Sequence, residues 1–124
     1  MTDSQITRFL AEKLFGWPCF DLTENDYMDA PLPNLVMNFD NEWVLSMTHG
    51  VWSPWKPLSN MEHTGQVVQK MRELGYECLI RPREIDLFDF MNGLDVPRTM
   101  VLAIVRALGE DPGGLECGIV VRKK

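Results

Sequence analysis

Trp52 and Trp55 flank a Ser-Pro step in "HGVWSPWKPLSN", His49 to Asn60, and Trp43 lies a short way upstream. An indole face stacks on a purine or holds a cation, and Lys56 beside it could meet a phosphate. Arg81 and Arg83, at the end of an expected strand, could supply a second contact to an anion. Trp52, Trp55, Lys56, Arg81 and Arg83 thus form a candidate site for a small anionic, nucleotide-like ligand. The competing reading is structural. Aromatic side chains dominate cores, and prolines stiffen a chain crossing into the next helix.

A second constellation is the acidic stretch "DLTENDYMD". Asp21, Glu24, Asp26 and Asp29 could mimic a nucleic-acid backbone for a DNA- or RNA-binding host protein. They lack the D-x-D-x-D-G spacing of a calcium loop, and a solvated loop is the plainer account. Cys19, His49 and His63 are the residue types of a thiol nucleophile with a base, but no spacing or nucleophile-elbow glycine pattern links them. Cys19, between Pro18 and Phe20, reads as a buried thiol, and His63 sits near a helix start, where the dipole favours the neutral ring. Glu84, Asp86 and Asp89 are not convergent, because residues 84 and 86 share a strand face that 89 does not. No catalytic residue, metal ligand or cofactor site is assigned, and the balance leans away from an enzyme.

The bulk numbers bound these readings. A chain of 124 residues with 45% hydrophobic and 24% charged residues suits one globular domain, 1–124. Its apolar runs are far too short to cross a membrane, and "MTDSQITRFLAEKL" lacks the apolar core of a signal peptide. Three cysteines, Cys19, Cys78 and Cys117, are odd in number and widely spaced, which fits reduced thiols in a cytoplasm. Net charge is -6, and from Leu14 to Trp55 there is no lysine or arginine. An acidic front half argues against general nucleic-acid binding, which needs cations on phosphates. The tail "VRKK" reads as a charged, soluble end.

The elements that must position these residues follow from periodicity and punctuation. A first helix is expected over Asp3 to Phe15, with Thr2 and Gln5 at capping-box spacing and Gly16 as its stop. A polar, proline-bearing stretch follows, in which "PCF" could be a short strand. "LVMNF" and "EWVLSM" flank Asp40-Asn41, a two-residue hairpin connection, with Leu35, Met37 and Phe39 alternating on one arm and Trp43 and Leu45 on the other. Gly50 and the prolines make the tryptophan stretch a loop. Ser59 and Glu62 form a capping box for a second helix, whose face carries Met61, Val67, Val68, Met71 and Leu74 before Gly75. "YECLIR" and "EIDLFDFMN" read as strands, and Asn92-Gly93 as a turn. A third helix runs from Val96 to Leu108, with Asp95 as its N-cap, Pro97 in its first turn and Gly109 as its stop. It is apolar nearly all round, and "GIVV" could add a last strand.

Three helices with several short strands define an α+β class, with helices packed on a small antiparallel or mixed sheet in an α/β/α-type sandwich. At this level "WSPWKPLSNMEHTGQVVQKMRELGYECLI" resembles the phage ABA sandwich family, small α/β proteins of phage and prophage genomes. The final helix, "PRTMVLAIVRALGE", and Gly16-Trp17 after the first helix are similar to that layout, and the likeness covers roughly half to two-thirds of the chain. Asn60 to Gly65 depart from the family's alanine-rich helix entry, and the acidic insertion from Leu22 to Asn34 is longer than usual. The resemblance carries no catalytic residues. It implies an accessory protein in a host bacterial cytoplasm that acts by binding, as an antagonist of host defence, through a protein partner or a sequestered ligand. The alternatives are a small hydrolase-like enzyme and a structural or assembly factor that forms a homo-oligomer.

Overall fold

A computed structural model describes residues 1–21, 30–48, 50–80, 96–113 and 119–123. The expected α+β class is what forms: the described residues make three helices, a four-stranded mixed sheet and a two-stranded antiparallel sheet. The chain divides into two compact units, Thr2–Lys56 and Pro57–Lys124, the latter together with Met1. Among the described residues no helix is long and apolar enough to cross a membrane.

In the first unit, α1 (Asp3–Leu10) begins at Thr2, whose hydroxyl accepts from Gln5 N–H while the Gln5 side chain accepts from Thr2 N–H. Both bonds satisfy backbone donors that a helix start leaves open, as the capping-box spacing anticipates. The helix continues as a wider π turn over Ala11–Phe15 and stops at Gly16, whose φ of 68° a side chain would resist. Ile6, Leu10, Ala11 and Leu14 form its buried stripe. Trp43 meets this helix through its indole N–H, which donates to the Ser4 carbonyl and hydroxyl oxygens at 3.1 Å each.

The sheet runs in the order β1 (Cys19–Asp21), β2 (Asn34–Met37), β3 (Trp43–Thr48) and β4 (Val51–Pro54). β1 is the short strand anticipated at "PCF", and it pairs parallel to β2. β2 lies between two neighbours, and its successive residues Leu35 and Val36 are both buried, as a strand covered on two faces requires. Oδ1 of Asn34 is buried there and accepts no hydrogen bond from the described residues.

The β2–β3 hairpin forms, but its connection is longer than two residues. Asn38 N–H donates to Glu42 O at 2.9 Å, so Phe39, Asp40 and Asn41 make the turn. The Asn38 side-chain oxygen accepts from Asp40 and Glu42 N–H, and Asn41 takes φ 59°. Asparagine tolerates that left-handed conformation, and a three-residue turn ending in it matches strand twist. Phe39, expected on the apolar arm, is therefore at the tip and 90% exposed. The second correction is β4 itself: Val51–Pro54 is a strand antiparallel to β3, where the prolines suggested loop.

In the second unit, α2 (Met61–Glu73) is capped by Asn60, not by Ser59. The Asn60 carboxamide oxygen accepts from Glu62 N–H at 2.9 Å and His63 N–H at 3.2 Å. Buried Thr64 contacts the Pro57 and Asn60 carbonyl oxygens at 2.7 and 2.9 Å through its hydroxyl, which holds the helix start one residue later. With that start, Val67 and Met71 are buried, whereas Met61 and Leu74, expected on the same face, are exposed. Gly75 ends the helix at φ 90°.

β5 (Tyr76–Ile80) pairs antiparallel with β6 (Ile119–Lys123), from Tyr76↔Lys123 to Ile80↔Ile119. β6 runs further into the basic tail than "GIVV", and Arg122 reaches Glu77 at 2.6 Å. α2 packs on β5, α3 (Val96–Ala107) packs on β6, and the two helices touch each other. Val101, Ile104 and Val105 of α3 are fully buried, and Met100, Leu102 and Ala103 only partly, so one side of that apolar helix lies nearer the surface.

Candidate functional site

The end of α1 borders a hollow formed by described residues. Gly16 and Trp17 N–H both converge on the Ala11 carbonyl oxygen, Trp17 at 3.0 Å, and this widens the last helical turn. Such π turns are rare and occur often at functional sites. The chain then passes through Trp17, Pro18, Cys19 and Phe20 into β1. Those residues, with Arg8, Glu12 and Gly16 on the helix side and Pro31 on the approach to β2, line a cleft of about 550 Å³.

Behind Trp17 lies a cluster of three rings. Phe15 and Trp17 stack with centroids 4.3 Å apart and planes 20° from parallel. Trp55 meets both edge-on, at 5.8 Å from Phe15 and 5.2 Å from Trp17. On the rim, Arg8 pairs with Glu12 one turn along, and both side chains are half exposed. An exposed pair of this spacing contributes only about 0.3–0.5 kcal/mol, so its value lies in the pattern it presents.

Cys19 faces this cleft as a protonated thiol. Burial, then the nearby Glu12 carboxylate, push it up to about 12, and its sulfur lies 3.6 Å from the Trp17 carbonyl oxygen. A thiolate is the reactive form, so iodoacetamide at about pH 8 is expected to label Cys19 far more slowly than a free cysteine. Mass mapping of the alkylated peptide would show the reverse if Cys19 were an activated nucleophile. Burial also raises the Cys78 thiol and lowers the His63 imidazole, against Glu62 acting to raise the latter.

The residues singled out in the sequence are placed as follows. Trp55 is 2% exposed and its ring belongs to the Phe15–Trp17 cluster, so it lines the core and not an open cleft. Trp52, on β4, is 42% exposed. Lys56 is bound to Glu42 at 3.2 Å. Asp21 is exposed at the end of β1. Arg81, Arg83, Glu24, Asp26, Asp29, His49, Glu84, Asp86, Asp89, Asp95, Cys117 and the strand and turn expected over 84–93 lie outside the described residues. The hollow at Trp17, Phe20 and Arg8 was not anticipated. Its signal in the sequence was Gly-Trp-Pro directly after a helix carrying Arg8 and Glu12 at i,i+4 spacing.

Comparison of the chain with protein-family models, with curated proteins and with solved structures gave no match.

Proposed function

We propose that this chain is a phage- or prophage-type accessory protein that binds a protein of its bacterial host and thereby antagonises a defence system. The phage character rests on the family resemblance. The observation that supports binding is the far end of the β3–β4 hairpin, where Met47, Val51 and Trp52 stand 59%, 60% and 42% exposed. Tryptophan and methionine are enriched where proteins meet, and exposed apolar side chains at one hairpin end suit such a contact.

The contact runs through side chains more than through an added strand. Trp55 N–H donates inward to Trp43 O at 3.0 Å, and Pro54 faces Val44 one residue away. Ladder alternation then puts Pro54 where an N–H would point to the outer edge, and proline has none. The lack of lysine and arginine from Leu14 to Trp55 favours a partner with a basic rim.

Native mass spectrometry of the protein purified from its host tests this reading against the others. A stoichiometric protein adduct is expected on the wild type. It should be lost from the Val51→Lys/Trp52→Ser double variant, with stability changed by no more than about 0.5 kcal/mol per surface site. An adduct that the variant retains removes the hairpin end from the contact. Complexes of this chain alone would favour the assembly factor, and a small-molecule adduct would favour a ligand sequesterer.

A further inference from the structure

We infer that the tip of the β2–β3 hairpin is a second contact point, which seats Phe39 in an apolar pocket of a host protein bordered by a lysine or arginine. The inference rests on the reading that the chain binds such a protein. It adds a site at the other end of β3 from Met47, Val51 and Trp52. Phe39 is 90% exposed, more than any other large apolar side chain among the described residues. The turn does not require a phenyl ring there. Its shape comes from the asparagines on either side, through the Asn38 side chain and the φ of 59° at Asn41. A phenyl ring held in water forgoes the burial that an apolar site would give it.

The tip is also held in place before any partner arrives. Asn38 N–H donates to Glu42 O at 2.9 Å, and Asn41 N–H donates to Asn38 O at 3.1 Å. Asp40 and Glu42 N–H donate to Asn38 Oδ1 at 3.0 and 2.9 Å. Four hydrogen bonds within five residues leave little backbone freedom to lose on docking, a cost that a loose loop would meet in full.

Charge selects the pocket. Glu42 is met by Lys56 at 3.2 Å, whereas Asp40, exposed beside Phe39, has no ion pair among the described residues. An acidic rim would repel Asp40, and a cation next to the phenyl slot would attract it and fix the register. An anionic membrane is disfavoured for the same reason. So is the matching stretch of a second copy, which has no lysine or arginine from Leu14 to Trp55.

The test is photo-crosslinking in host cells of the full chain carrying Phe39→p-benzoylphenylalanine. A separate chain carries Thr48→p-benzoylphenylalanine, an exposed position paired with Val51, and reports the other end of β3. The position 39 probe should join one host protein at apolar residues that border a lysine or arginine. Asp40→Lys in the same chain should lower the yield about tenfold, because a like charge then faces the rim. The Asp40 side chain makes none of the turn's bonds, so the far-ultraviolet spectrum should stay unchanged. A crosslink from position 48 with none from position 39 overturns the tip contact and leaves the Trp52 end standing. Silence at both positions overturns the wider reading as well. Crosslinks from position 39 to a second copy or to lipid overturn the inference. So does a target site without a cation, or an unchanged yield with Asp40→Lys.

Discussion

Trp55→Ala is expected to destabilise the protein by about 3–5 kcal/mol, the range for removing a buried tryptophan. The ring is 2% exposed and holds Phe15 and Trp17 edge-on at 5.8 and 5.2 Å. Truncation opens a cavity the size of an indole and breaks two aromatic contacts, each of which adds about 0.5–1.5 kcal/mol beyond its buried area. The backbone bond from Trp55 N–H to Trp43 O survives, so the loss belongs to the side chain. Urea denaturation should show a large fall in midpoint for Trp55→Ala and a much smaller one for Trp52→Ala, on the exposed strand. Equal effects would remove Trp55 from the core. A variant this unstable also says nothing about ligand contact at Trp55, so binding experiments belong on Trp52.

Ile104→Ala should cost about 2–5 kcal/mol for a similar reason in the second unit. Ile104 is fully buried on α3, between Val101 and Val105, which are buried as completely. The helix packs on β6 and touches α2, so a cavity there loosens contacts on both sides. Leu74→Ala provides the contrast. It lies at the end of α2 and is largely exposed, so its loss should fall within about 0.5 kcal/mol. Amide exchange in α3 should quicken in Ile104→Ala and stay unchanged in Leu74→Ala. Matching losses would mean that the two positions are buried alike.

Local rules made much of the fold legible. The Thr2–Gln5 capping box starts α1 and Gly16 ends it, because orphaned backbone donors and a left-handed stop are satisfied within a few residues of sequence. β2, β3 and β5 follow from alternation, β6 from a short apolar run, and α3 from an uninterrupted apolar face. The errors are local competitions between similar signals. Ser59 and Asn60 are both good caps, and the Thr64 hydroxyl, reaching Pro57 and Asn60, decides for the later one. Asp40-Asn41 fits a two-residue turn, yet Asn38 accepting from two backbone N–H groups makes the three-residue turn better satisfied.

The candidate site was less legible because its partners are distant along the chain. Two tryptophans three residues apart look alike in sequence, and the strand pairing of β4 separates them: Trp52 stays with the exposed strand, while Trp55 enters the ring cluster. By itself the sequence determined where α1 begins and its π turn ends, that the class is α+β, and that the front half is acidic. All of these depend on neighbours a few residues away or on composition. Only the tertiary structure decided that Trp55 is core, that Trp17 and Phe20 wall a cleft beside Arg8 and Glu12, and that Cys19 stays protonated there. Burial and electrostatic environment are set by residues brought together from the end of α1, from β1 and from beyond β4, and no local pattern encodes that meeting.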